Sequence, residues 1–393
     1  MLKAIKGKTL IDGTGSEPIR DGVILIEGDK IVAVGTGAEV RVPEGAEVTD
    51  VGEETLLPGF VDTHSHVTIF PGRGQPGHQV QAPPGTQLLR GASHMRIDLL
   101  AGTTTMRILG ENNNADFLMR QAIEDGTVPG PRLFVSGKAV RPTHGHGFMG
   151  TPANGVDGVR TTIRENLLAG AHQIKVFVSG GISDHHTELA NSYYSREEIE
   201  AAADEAERAG KRMIIHCKGG PGLRWAVEAG ASAVEHGYLA TDDDLELMQK
   251  RGAWLGATLV NAYHELGNSP EIMNDPYRGA KARYAMAMME KVFPKAVKGG
   301  VKWNVSTDAR HGLLPFAIET AAKMGATNMQ ALQAATGWAA EACGLEDKVG
   351  TLQSDRYADV ISLEGNPLED IKAVYRVRLI VKGGQRVDNL SVF

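Results

Sequence analysis

The chain has 393 residues, enough for one large α/β domain or two smaller ones with sizeable cores. Apolar residues make up 42% and charged residues 23%, ordinary globular values, and a net charge of −7 without any basic, aromatic-interleaved run argues against a nucleic-acid surface. No stretch reaches the roughly 18 apolar residues that a membrane helix needs, so no membrane partner is expected. Two cysteines, Cys217 and Cys343, exclude a disulfide framework and point to a reducing compartment, the cytoplasm. The opening "MLKAIKGKTLIDGTG" has no apolar core of a signal peptide.

Residues 1–57 read as short strands between turns. "AIKGKTLI", "DGVILIEGDKIVAVG" and "AEVTDVGEETLLP" alternate apolar and polar positions, with Gly and Asp at the breaks. The tail repeats the pattern in "ADVISLEG" and "IKAVYRVRLIVKGGQRV". A small β-sandwich assembled from 1–57 and 358–393 is the expectation. Between them, eight apolar strand signals alternate with helical segments: "LPGFVDTHSH", "GTTTMRI", "PRLFVSG", "QIKVFVSGG", "RMIIHC", "SAVEHG", "AWLGATLV" and "KWNVSTDAR". Eight such units over 58–357 predict an α/β fold of the closed (β/α)8, TIM-like type. An open doubly wound sheet is the alternative, and it lacks its GxGxxG after the first strand.

In a (β/α)8 barrel, chemistry gathers where strands end. The first strand ends in His64 and His66, which as i and i+2 neighbours point to one face. The fourth carries Lys175, the fifth ends at His216, the sixth at His236 and the eighth at Asp308. Singly, each has a plain reading: a hydrogen-bonded core histidine, a helix-capping aspartate, a lysine snorkelling to the rim. Together, at one end of five strands, they form a convergent set suited to divalent metal. A lysine beside cations would lose its proton and, as a neutral amine, take up carbon dioxide to form an anionic, two-oxygen bridging ligand. His64 and His66 would then serve one ion, His216 and His236 the other, with Asp308 completing the first shell.

These pieces, with "IIHCKGG", "AVEAGASAVEHG" and the C-terminal "GLEDKVGTLQSDRYADVISLEGNPLEDI", resemble the amidohydrolase superfamily in its binuclear, carboxylated-lysine branch. The likeness runs nearly the whole chain. Its wording is most similar to the group of Xaa-Pro dipeptidases and hydrolases of aromatic amides and phenylureas. The resemblance implies two divalent ions, zinc foremost, with His64, His66 and Asp308 on one, His216 and His236 on the other, and carboxylated Lys175 between. It implies Asp308 and His146 as catalytic residues and His144, His146 and Tyr238 as substrate contacts, the order of His144 and His146 being open. It further implies hydrolysis of an amide-type C–N bond by a bridging hydroxide, in a dipeptide, an N-acyl amino acid, or an aromatic amide, urea or carbamate. A homo-oligomer acting on a small molecule is expected.

Three rivals stand beside this reading. A phosphotriesterase or lactonase would use the same metal set. A mononuclear deaminase would want a glutamate shortly after His216, where the chain reads Cys217-Lys218-Gly219-Gly220. A non-catalytic scaffold would be expected to have lost ligands that this chain retains. The Gly- and Pro-rich stretch "VTIFPGRGQPGHQVQAPPGTQ" reads as a loop over the mouth, with Phe70 and Val80 as candidate apolar contacts. The turn "SGGISD" reads either as an anion nest or as a plain strand-to-helix turn. Cys217, alternating away from His216, reads as packing.

Overall fold

The computed structural model describes residues 2–71, 76–147, 149–150 and 152–387. The first five strands are β1 (Leu2–Leu10), β2 (Ile19–Glu27), β3 (Lys30–Thr36), β4 (Glu47–Asp50) and β5 (Thr55–Pro58). Eight parallel strands follow: β6 (Phe60–Ser65), β7 (Thr103–Ile108), β8 (Arg132–Phe134), β9 (Ile174–Phe177), β10 (Met213–Cys217), β11 (Ala233–His236), β12 (Trp254–Ala257) and β13 (Trp303–Val305). The chain then returns through β14 (Val360–Leu363), β15 (Val377–Lys382) and β16 (Gln385–Arg386).

The terminal strands form one continuous mixed sheet in the order β16-β15-β14-β5-β1-β2-β3, with β4 also on β1. The composite β unit expected from both termini is thus present as strands joined in one ladder. The reason lies in β1, whose Lys3–Lys6 half pairs with β4 while Thr9 and Leu10 pair with β5, so a single long strand keeps both ends in one ladder. Alternation does the rest. Leu56, Val360 and Leu379 pack with Ile5, Ile24 and Ile26, whereas their chain neighbours Leu57, Ile361 and Ile380 face the large central core. Strand β14 and the Leu379–Val381 part of β15 are thus buried on both faces and weld the terminal sheet to the rest.

The parallel strands divide into sheets β6-β7-β8 and β9-β10-β11-β12-β13. All six residues of β6 and of β7 are buried, as expected where helices cover a parallel sheet. Among the described residues no continuous ladder closes these two sheets into one barrel. Hydrogen bonds do cross both seams. Val140 bridges Val176 in parallel, and the Asp308 N–H donates to the His64 carbonyl at 2.8 Å. The Thr63 hydroxyl donates to Asn304 at 2.6 Å.

The helices begin where the chemistry allows. Ser195 and Thr241 form capping boxes with Glu198 and Asp244 at the starts of Arg196–Arg208 and Asp242–Arg251. Among the described residues no helix is long and apolar enough to cross a membrane. Gly72–Gln75, in the stretch expected to overhang the mouth, lie outside the described residues, and the rest of it is largely helical, in Pro76–Val80 and Pro84–Leu100. Phe70 and Val80 are buried at 3% and 6% exposure, so they are packing residues and the expectation of substrate contact is corrected. Aliphatic and aromatic side chains at these positions gain more from the core than from an open rim.

Candidate metal and active site

The strand register sets the depth of each polar side chain. In the β9–β10 ladder Lys175 lies level with Ile214, two residues below His216, and in the β10–β11 ladder Cys217 lies level with His236. At about 3.3 Å per residue, Lys175 starts roughly 7 Å beneath His216, a gap its four-carbon stem spans. The imidazoles above it form a chain in which ring centroids lie 5.5 Å apart for His66–His64, 5.2 Å for His64–His236, and 4.5 Å for both His236–His216 and His216–His146.

The free edges of these rings converge because their other edges are held. His64 Nδ1 meets Glu235 at 2.9 Å, His66 Nδ1 donates to the Gly110 carbonyl at 2.9 Å, and His236 Nδ1 pairs with the Thr258 hydroxyl at 2.8 Å. His216 uses Nε2 instead, donating to the Gly180 carbonyl at 3.2 Å. Such partners fix ring orientation in metal sites. His64 Nε2 and His66 Nε2 each lie 3.4 Å from one Asp308 carboxylate oxygen. One ligand atom from each of the three falls within 4.8 Å of the other two, close enough to hold one metal ion.

Two of these residues leave their strands with left-handed backbones, His236 at φ 75° and Asp308 at φ 48°, followed by Ala309 at φ 64°. Non-glycine residues rarely adopt that region, and departures of this kind cluster at functional sites. Asp62, within "FVDTHSH", holds the Asp308 bend. Its carboxylate accepts from the backbone N–H of His64 (3.1 Å) and from the N–H (3.2 Å) and hydroxyl of Thr307.

Electrostatics separates the groups. Burial, reinforced by the nearby Lys175 charge, pushes His64 down to about 4, so it is a neutral imidazole near pH 7. Burial also holds His216 and His236 well below the ordinary histidine range. Neutral imidazoles are what a cation requires. Burial alone would raise Asp308, but the neighbouring imidazoles and Arg310 outweigh it and keep the carboxyl well below its usual range. Lys175 is fully buried, its Nζ has no hydrogen-bond partner among the described residues, and burial pushes it down to about 8.

Around this cluster lies a cavity of about 320 Å³. His64, His66, His146, His216, His236 and Asp308 all border it. Two sequence-derived substrate contacts are placed elsewhere. His144 is exposed, donates Nε2–H to the His186 carbonyl at 3.2 Å and stacks on the His186 ring. Tyr238 is fully buried behind His236, its hydroxyl bonded to the Thr258 carbonyl at 3.0 Å, so it supports the histidine's partner. Cys217 is buried in the central core.

Several residues at the site were not assigned from the sequence. Arg107, fully buried in β7, donates to Glu235 at 2.7 Å, and Glu235 in turn holds His64. Gly256 makes room for that carboxylate, since a Cβ there would stand 2.2 Å from it. Both charges lie inside apolar strands, which was the available signal. Asp184 of "SGGISD" binds His146 Nδ1, and Gly181 leaves space for that ring, where a Cβ would approach to 2.2 Å. The Lys281 ammonium donates to the carbonyls of Gly181, Asp184 and Thr187 at 2.6–2.9 Å. The turn is therefore a braced platform for His146.

The amidohydrolase family model matches residues 55–387. The chain belongs to the amidohydrolase family. As an amidohydrolase it is a family hydrolase with a His-His-Asp metal-binding group. It is 30% identical to ochratoxinase of Aspergillus niger over 96% of this chain and 84% of that protein. Among solved structures, it resembles a prolidase complexed with N-methylphosphonate-L-proline, with TM-score 0.90, 31% identity and coverage of 98% and 99% of the two chains. It also resembles a Xaa-Pro dipeptidase with bound methionine, with TM-score 0.88, 26% identity and coverage of 99% and 100%.

Proposed function

We propose that this amidohydrolase cleaves an amide-type C–N bond of a small molecule, a dipeptide or N-acyl amino acid or an aromatic amide, urea or carbamate, with two divalent cations, zinc foremost, in a (β/α)8 unit spanning 58–357. The observation that carries the two-ion reading is Lys175. A fully buried amine with no partner, beneath four histidines, is costly as it stands. As a carbamate it would be an anionic bridge, and its lowered pKa favours the neutral amine that carbon dioxide requires. His64, His66 and Asp308 would hold one ion, and His216 and His236 the other. Bound there, the ions would supply a water deprotonated near neutral pH and draw charge from a carbonyl.

The chain's own groups supply the remaining steps. Asp308, ionised and steadied by Asn261 Nδ2–H, is the base that takes the proton of the attacking water. The same carboxyl returns that proton to the departing nitrogen. His146, aimed by Asp184, donates to the substrate carbonyl oxygen as negative charge builds there. The prolidase and the Xaa-Pro dipeptidase among its similar structures favour C–N cleavage over phosphoester or lactone chemistry.

Two measurements test the reading. Metal analysis of wild type and Lys175→Ala should give two ions per chain falling to one or fewer, with activity down at least about 100-fold. A fully active wild type with one ion per chain overturns the binuclear reading. Mass-spectrometric assay of Xaa-Pro dipeptides, N-acyl amino acids, aryl amides, phenylureas and carbamates should show C–N cleavage in one class, and turnover of none defeats the reaction assignment.

A further inference from the structure

We propose that Lys218 and Arg310 form an anion subsite in the cavity that selects substrates with a free carboxylate beside the scissile bond. This rests on the hydrolase reading above and narrows it to dipeptides and N-acyl amino acids.

Lys218 leaves β10 two residues after His216, so alternation turns it to the same side, while Cys217 between them packs into the core. It borders the cavity at 3% exposure. Its ammonium stands 4.5 Å over the Tyr238 ring and has neither an acceptor within hydrogen-bond reach nor a carboxylate within 4 Å among the described residues. An aromatic face compensates a buried charge only in part. Arg310, two residues after Asp308, borders the same cavity at 7% exposure. Its Nη1 donates to the Asp308 carbonyl at 2.6 Å, but its buried Nε has no acceptor.

The anions lining the cavity do not balance these cations. Asp308 is paired with Arg310, whose Nη1 lies 3.4 Å from its carboxylate, and it also accepts from Asn261. Glu271 lies beside Arg278, the third cation of the lining, whose Nε is also 3.3 Å from Asp275. The Lys218 charge is left over, with the Nε edge of Arg310 still lacking an acceptor among the described residues, and bound divalent ions would enlarge the excess. A substrate carboxylate is the group that matches two adjacent cationic donors in a water-poor space. Ile69, Met149, Phe177 and Ile272 line the cavity as well and provide an apolar seat for the residue that bears it.

The test compares N-benzoyl-L-phenylalanine with its uncharged carboxamide, following benzoate release from metal-loaded enzyme. Wild type should prefer the acid by about 100-fold, and Lys218→Met should shrink that preference at least about tenfold, through KM rather than kcat, with Lys218→Arg restoring most of it. Absence of preference in wild type overturns the subsite without recourse to a variant. Equal losses on both compounds in Lys218→Met would make Lys218 a contact of the scissile carbonyl and would also overturn it. Calorimetric titration of the same metal-loaded proteins with 3-phenylpropionate and 3-phenylpropionamide separates the two readings. If neither benzoyl compound is cleaved, the reaction assignment is judged on the full substrate panel, while binding of the acid that weakens in Lys218→Met still supports the subsite. Undiminished binding of the acid to Lys218→Met removes it.

Discussion

The terminal sheet and the cavity-side ends of the parallel strands both bury an interior face, yet these are built from opposite chemistry. In the terminal sheet, Ile5, Ile24, Ile26, Leu56 and Val360 meet one another, and the backbone satisfies itself along a single ladder. At the strand ends, imidazoles, carboxylates, guanidinium groups and amines occupy buried positions, most of them held by a specific partner, while Lys175 and Lys218 have no hydrogen-bond acceptor among the described residues. Apolar packing is forgiving because dispersion and the hydrophobic effect have no preferred direction. A buried polar cluster is unforgiving, because a single missing partner leaves a desolvated group exposed to its full penalty. Substitutions in the first region should therefore change stability alone, and in the second should separate activity from stability.

The largest expected effect is on turnover. Asp308→Asn keeps the shape of the side chain and one ligand oxygen but removes the base. We expect kcat to fall by about 100- to 10,000-fold with bound metal and melting temperature largely kept, as read by steady-state assay, elemental analysis and calorimetry. Near-normal turnover would remove Asp308 from that role. Next comes Arg107→Met, which touches neither cavity nor substrate. It strands the Glu235 carboxylate in the interior and should destabilise the fold by about 3–5 kcal/mol in urea titration. Metal affinity should fall as well, because Glu235 orients His64. Full stability in this variant would show that the polar end is as tolerant as the apolar one. The smallest effect belongs to Ile24→Val, a loss of about 1 kcal/mol in the same titration with kcat/KM unchanged. A change in kcat/KM there would break the separation of the two regions.

Much of the framework was legible in the sequence because short apolar runs with turn residues between them leave few arrangements open. Each of the eight central strand signals contains one of the parallel strands β6–β13, and the helices Arg196–Arg208 and Pro221–Ala229 fall within segments read as helical. "ALQAATGWAAEACG" reads as one helix but is two, Asn328–Gln333 and Gly337–Cys343, divided at Thr336, whose φ of −136° and ψ of −104° leave the helical region. The break falls at Thr336-Gly337, the weakest helix formers of the stretch, and the bare Gly337 lets the Gly13 backbone approach there. Pairing of β1 with two successive partners is likewise decided between strands far apart in the chain.

The sequence by itself singled out His64, His66 and Asp308, which the structure brings together as a candidate metal-binding group. The i,i+2 histidines of "HSH" and a polar residue at each apolar strand's end are properties of spacing and of what a buried strand tolerates. Only the tertiary structure decided how those residues are held. It set Lys175 two residues below His216, routed Arg107 through Glu235 to His64, turned His146 into the cavity on Asp184 and left His144 outside it. Ligand types follow from local chemistry, whereas orientation, depth and charge balance depend on strand register and on partners more than a hundred residues away.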